Sequence, residues 1–318
     1  MKIGFDIMGG DYAPKEAIAG AILANKELAG TARIVLFGDK DQAISLIQEN
    51  GADIADFDFV HTSEVISMGE HPTKAISQKK DSSISVGFGM LAQKQIDAFV
   101  SAGNTGAMLV GSMFSVKPIE RVIRPSITSI VPKLNGKFGV VLDVGANADC
   151  KPDVLFQFGI LGSLMMKHVY GVENPRVGLL SIGEEKEKGN LVTIAAHQMM
   201  AETTAFNFIG NVEGRDFLSD KADVIVCDGF TGNVVLKTLE SVYYVMKKRG
   251  VEDDFIERFN YENYGGTPIL GVNAPVIIGH GISNAKAFKN MILSAKEVQN
   301  SDLVNIIKTS FKSVVLPV

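Results

Sequence analysis

Short, unbroken apolar runs punctuate this chain, and they stop in the same way, at a glycine beside aspartate, asparagine or glutamate. They occupy 5–11 (FDIMGGD), 99–107 (FVSAGNTGA), 140–147 (VVLDVGAN), 179–185 (LLSIGEE), 224–233 (VIVCDGFTGN) and 276–281 (VIIGHG). Continuous Val-, Ile- and Leu-rich runs of this length predict parallel strands buried on both faces. Between them the apolar residues take helical spacing, as at Ala17, Ala21 and Leu28 in 14–28. Helices are predicted likewise over 41–49, 108–114, 152–170, 191–202, 234–249 and 283–299, with further strands at 33–38 and 57–65. Asp81 or Ser82 can cap a helix running to about 95, because their side chains accept from first-turn amides. The alternation predicts an α/β fold, a mainly parallel sheet covered by helices.

The chain reads as a single α/β domain over 1–318 in two closely joined lobes, with no internal repeat and no low-complexity linker. The proline-flanked, β-rich segment 121–133 is the expected crossing between lobes. One stretch departs from the alternation. Leu236, Leu239, Val242, Tyr243 and Met246 share a helical face that ends in Lys247-Lys248-Arg249-Gly250, ordinary helix-stop chemistry. Glu252-Asp253-Asp254 then opens a short amphipathic run through Phe255, Ile256 and Phe259. A helical hairpin over 234–263 is expected. It either closes on its own domain or meets a second copy, a carrier protein or a membrane surface.

Composition narrows the partners. A 46% apolar and 21% charged chain can bury a real core, and a net charge of −5 gives no general match to nucleic acid. Two cysteines outside CxxC spacing favour a reducing, cytoplasmic setting. The first residues enter a strand directly, so no signal peptide is expected. No apolar stretch reaches the roughly 18 residues of a membrane span.

Several motifs fall away on position. Gly87-Phe88-Gly89-Met90-Leu91-Ala92 fits GxGxxA but lies inside a predicted helix, where the dinucleotide mechanism cannot operate, so its glycines are read as close helix packing. There is no P-loop and no GxSxG elbow. The five histidines lack metal-ligand spacing, and no metal or cofactor is expected. His280 reads as a residue that orients its backbone.

Three strand tips can carry chemistry. Asp228-Gly229-Phe230-Thr231-Gly232-Asn233 joins a buried strand to a helix predicted to start near Asn233. Free amides at a helix start bind phosphate or carboxylate, and Thr231, Gly232 and Asn233 are the expected donors. Ser101-Ala102-Gly103-Asn104-Thr105-Gly106 repeats the design, with Gly103 and Gly106 opening the backbone and Asn104 and Thr105 donating. A plain capped turn would look the same in both places. In the charged loop 183–190, Lys188 stands just before a helix start, where it can act as a point charge on phosphate or an oxyanion. Asp6, Asp11 and Asp143 read as acids that cap helices or hold loops.

Taken in order, DxMGGDxAP at 6–14, KKxSSI at 79–84, SAGNTGA at 101–107, LDVGAN at 142–147, DGFTGN at 228–233 and YGGxPxLGxNxPVIIxHG at 264–281 match one family. The chain resembles the bacterial phosphate acyltransferases of phospholipid synthesis. That resemblance implies transfer of a long fatty acyl group from acyl carrier protein to inorganic phosphate, giving acyl phosphate for phosphatidic acid synthesis. It implies an isocitrate/isopropylmalate dehydrogenase-like fold, a homodimer, and peripheral membrane contact through the hairpin. The family's active-site lysine and asparagine fall on Lys188 and Asn233. This chain departs from the pattern in a shorter segment between Thr238 and Tyr264 and in Glu187, where a second lysine is common. The first departure weakens the expected membrane contact.

The reaction needs little from the protein. Phosphate is already a nucleophile and a thiolate leaves readily, so positioning and charge stabilisation suffice. Asp228 is expected to orient Lys188 or its loop. The carrier is acidic, so Lys79, Lys80, Arg121, Arg124 and Lys247–Arg249 are candidate docking cations. Two other readings stay open: an NAD(P)-dependent decarboxylating dehydrogenase on the same fold, and a non-catalytic acyl-lipid or carrier-protein binding module.

Overall fold

The computed structural model describes residues 1–313. Its strands, in chain order, are β1 (Lys2–Asp6), β2 (Arg33–Gly38), β3 (Phe57–His61), β4 (Ala98–Ser101), β5 (Ser126–Pro132), β6 (Phe138–Leu142), β7 (Arg176–Leu180), β8 (Asn207–Val212), β9 (Val224–Val226), β10 (Gly266–Leu270) and β11 (Val276–Gly279). The helices are α1 (Lys15–Leu28), α2 (Lys40–Glu49), α3 (Pro72–Gln78), α4 (Ser83–Ala92), α5 (Thr105–Gly111), α6 (Pro152–His168), α7 (Leu191–Ala201), α8 (Gly229–Lys248), α9 (Asp254–Glu257), α10 (Ala285–Asn300) and α11 (Leu303–Ser313). None among the described residues is long and apolar enough to cross a membrane.

The chain forms two compact units. The first comprises Met1–Pro118 and Tyr261–Asn300, the second Ile119–Asn260 and the chain from Ser301 onward. The chain therefore passes between units after Pro118, ahead of the segment expected to make the crossing.

Within the first unit the strand order is β3-β2-β1-β4-β11-β10, parallel except where β10 runs against β11. Ile3, Phe5, Phe99 and Val100 are fully buried on β1 and β4, as apolar runs covered on both faces require. Phe99 meets Phe37 and Phe88 edge-on, with centroids 5.8 and 5.2 Å apart. A side chain at Gly87 would put its Cβ 2.2 Å from the Phe99 ring, so this glycine of the GxGxxA match serves packing of α4.

The second unit has the order β5-β6-β9-β7-β8, with β5 antiparallel to β6 and the other pairs parallel. Helix α6 is buried along nearly its whole length, from Val154 to Met166. Lys133, just past β5, is buried, and its Nζ lies 3.0 Å from Asp223 Oδ1. Asp223 also accepts from the backbone N–H and Nε of Arg176, both at 2.9 Å.

Several predicted boundaries shift. Ser82, not Asp81, caps α4 by accepting from Ser85 N–H, while Asp81 accepts from Ser63. The strand expected over 57–65 ends at His61. Helix α8 starts at Gly229 rather than near Asn233, because Asp228 caps it. The return arm of the expected hairpin contains only the four residues of α9. Unpredicted α11 buries Leu303, Ile307 and Phe311, a four-residue spacing that was visible in the chain.

Candidate active site

A short repeat, unmarked by periodicity, organises both units. In the first, β1 ends in buried Asp6 beside β4, which leads into Gly103-Asn104-Thr105-Gly106. In the second, β6 is followed by buried Asp143 beside β9, which leads into Gly229-Phe230-Thr231-Gly232. Ser101 Oγ donates to Asp6 Oδ2 at 2.7 Å and accepts from Gly103 N–H at 2.9 Å. Asp143 accepts from the backbone amides of Ile127 and Asn147 and from Asn147 Nδ2. Burial raises both carboxyls above the usual range, although these donors favour ionisation. Both acids hold loops, as the sequence suggested. Gly229 is required there, since a Cβ would lie 2.7 Å from Asp143 Oδ2.

The first-unit tip holds its own loop. Asn104 caps α5 by accepting from Ala107 N–H at 2.9 Å, and its Nδ2 donates to the carbonyls of Ser67, Met68 and Glu70, each at 3.0 Å. An amide has two protons. Those of Asn104 are taken by this loop, which corrects its expected role as a phosphate donor. Gly103 is buried, and Gly106 packs against Pro72. Thr105 is exposed at the start of α5.

In the second unit the starts of α7 and α8 meet at a cleft of about 260 Å³. Asp228, Phe230 and Thr231 line one side, Asn190, Val192 and Thr193 another, with Asp149 and Cys150 from the loop after β6. Asn190 caps α7 by accepting from Thr193 N–H at 2.9 Å. Asp228 Oδ1 accepts from Thr231 N–H at 2.8 Å, and its Oδ2 accepts from the Thr231 hydroxyl at 2.9 Å. A hydroxyl has one proton, so Thr231 offers an anion no donor in this arrangement. Asp228 serves as a cap, and among the described residues it makes no hydrogen bond or ion pair with Lys188. Gly232 N–H donates to Asp228 O at 3.0 Å, so its amide is also engaged. A Cβ on Gly232 would lie 2.0 Å from Asp143 O, which explains the glycine by close packing.

The unengaged donors are different ones. Among the described residues no acceptor takes the N–H of Val192 or Phe230, and both residues line the cleft. Two helix starts, each with a free amide and a positive dipole end, thus border one space. Lys188 is exposed just ahead of Asn190, and no carboxylate among the described residues pairs with its Nζ. Asn233 is exposed on α8 beside the Gly145 turn, whose φ is +106°. Neither Lys188 nor Asn233 is among the residues that line the cleft. Burial, then the Asp143 and Asp228 carboxylates, push the Cys150 thiol up to about 12, so it stays protonated at neutral pH.

Sequence reasoning passed over Asn190, Thr193, Asp149 and Cys150. Only Asn190 carried a signal, as a capping residue before an apolar run. The docking cations are also redistributed. Lys79 pairs with Glu70 at 2.6 Å and Lys247 with Glu257, while Arg121 and Arg124 donate to the carbonyls of Lys312 and Asp149. Lys80, Lys248 and Arg249 remain exposed.

Residues 1–306 match the family model described as "Fatty acid synthesis protein". A phosphate acyltransferase of Endomicrobium trichonymphae is 43% identical, the match covering 97% of each chain. That of Pelotomaculum thermopropionicum is 42% identical over 99% of this chain and 96% of its own. The chain belongs to the phosphate acyltransferase family. Among solved structures, a Streptococcus pyogenes phosphotransacetylase covers 94% of each chain with a TM-score of 0.64 at 16% identity. A Burkholderia phymatum 4-hydroxythreonine-4-phosphate dehydrogenase covers 93% of this chain and 98% of its own, with a TM-score of 0.51 at 14% identity. At these identities the likeness concerns the fold, and it agrees with a mostly parallel α/β sheet. As a family member the chain is an acyltransferase enzyme, which removes the non-catalytic reading.

Proposed function

We propose that this acyltransferase moves a long-chain fatty acyl group from acyl carrier protein to inorganic phosphate, giving acyl phosphate for phosphatidic acid synthesis. The observation that carries the reading is the second-unit cleft, bordered by two helix starts with free amides, with the exposed Lys188 on the loop that enters one of them. A phosphate oxygen attacks the thioester carbonyl carbon, the C–S bond breaks, and the pantetheine sulfur leaves as thiolate. The N–H groups of Val192 and Phe230 hold the phosphate, Lys188 balances its charge or that of the tetrahedral oxyanion, and Asn233 donates to the reacting group. The protonated thiol of Cys150 fits direct transfer better than an acylated cysteine. Gly103, Thr105 and Gly106 belong to the substrate path of the first unit, and Asn104 shapes it.

Ile182, Leu191 and Phe230 are exposed at the strand end and helix starts around this region. They would meet the apolar chain, whose burial is worth about 0.8 kcal/mol per methylene. The fold is read more finely as the isocitrate/isopropylmalate dehydrogenase type, with 234–263 as a lid. Past Gly232 no residue of α8 is buried, and Val234, Val242, Tyr244 and Val245 are exposed, which suits a homodimer contact.

Incubation with long-chain acyl carrier protein and phosphate, followed by hydroxylamine trapping, should yield acyl hydroxamate in proportion to phosphate. Product formation that ignores phosphate would overturn the assignment. Membrane contact is expected to be weak, because the return arm of the hairpin is short. Co-sedimentation with anionic vesicles should leave most of the protein in solution, and strong pelleting would refute that expectation.

A further inference from the structure

We propose that Asn211 and His197 are positioning residues that set the place from which Lys188 acts. The inference rests on the reading of Lys188 given above and adds a mechanism that holds its loop. Loop 183–188 leaves β7 and returns into α7, and its carbonyls would otherwise lie unpaired over the sheet end. Buried Asn211, on β8, sits beneath it. Its Nδ2 donates to Gly183 O at 3.2 Å and Glu185 O at 2.9 Å, with Lys188 O at 3.5 Å. Ser181 Oγ donates to Lys188 O at 3.0 Å, and Lys188 N–H donates to Glu185 O at 3.0 Å. Both backbone polar groups of Lys188 are therefore held, while its side chain is left unpaired.

The strand is built to aim that amide. Pairing of β7 with β8 slips between Val177 and Leu179, and Gly210 takes a φ of +92°, open chiefly to glycine. A bulge of this kind re-aims a neighbouring side chain. Both Nδ2 protons of Asn211 face the loop, so its Oδ1 must accept, and the proton comes from His197 Nδ1 at 2.8 Å. The His197 ring is steadied edge-on by Phe208, with centroids 5.2 Å apart. The chain of donation runs from α7 through β8 to the lysine loop. Misplacement of an acting group by about 1 Å can cost about 10²-fold in rate, so such a brace has kinetic consequences.

The test compares steady-state constants for Asn211→Leu, His197→Leu, His197→Asn and Lys188→Ala in the full chain, with melting curves as the fold check. Asn211→Leu should lower the rate by about 10- to 100-fold. It should change the same constants, among kcat, phosphate KM and acyl-carrier KM, that Lys188→Ala changes. His197→Leu should act in the same direction, and His197→Asn, whose amide can donate from near the Nδ1 position, should recover to within about twofold of the parent. Parental kinetics in the folded leucine variants would overturn the proposal, as would a loss carried by other constants than those Lys188→Ala moves. If Asn211→Leu does not fold, the two His197 variants decide by the same criteria. A Lys188→Ala enzyme at the parental rate would instead remove the underlying reading of Lys188.

Discussion

Lys188→Ala should lower kcat by about 10²–10³-fold, the range found when one donor to a developing oxyanion is removed. The loss corresponds to about 3–4 kcal/mol of transition-state stabilisation. Stability should hardly change. Lys188 is exposed, has no ion-pair partner among the described residues, and is held through its main chain, which alanine retains. Surface substitutions of this kind are usually within about 0.5 kcal/mol of neutral. Hydroxamate trapping and a melting curve on one preparation check both halves. An unchanged rate in a folded protein would take the lysine out of the chemistry.

Asp223→Ala should produce the largest loss of stability, about 3–5 kcal/mol, because it leaves the Lys133 ammonium buried without its near partner. The other carboxylate within reach, Asp220, is 4.0 Å away and half exposed. Urea unfolding followed by a signal from the second unit would measure the loss. Burial alone would raise the Asp223 carboxyl, but donation from Arg176, and then from Lys133, holds it well below the usual carboxylate range. A depressed native value stabilises the fold at pH above the unfolded carboxylate value of about 3.9. That contribution fades as pH falls through the native value. The gap between parent and Asp223→Ala should therefore be full at neutral pH and shrink in acid below about pH 4. A gap that widened in acid would contradict this ion-pair account.

The strands and helices were legible because each is announced locally. A run such as VVL at 140–142 needs only its own residues to predict a strand buried on both faces, and a capping side chain at Asp81 or Ser82 announces a helix start by its chemistry. The helix start at Gly229 was misplaced because two glycines read as a loop. In the structure Gly229 and Gly232 instead let the first turn of α8 pack against 143–147. The candidate donors were harder to read. Asn104, Thr231 and Gly232 have suitable groups at suitable positions, but their protons go to a loop carbonyl, a capping carboxylate and a helix carbonyl.

By itself, the sequence determined the α/β class, the strand tips where chemistry could gather, and, through its ordered motifs, the family resemblance. These depend on residue type and short spacing, which survive without knowledge of distant neighbours. Tertiary structure decided which polar groups were free. It engaged Asn104, Thr231 and Gly232, left Lys188 and the amides of Val192 and Phe230 open, and brought Asn211 and His197 beneath the lysine loop. A hydrogen-bonding group has only a few partners, and which ones it meets is fixed by residues far away in the chain.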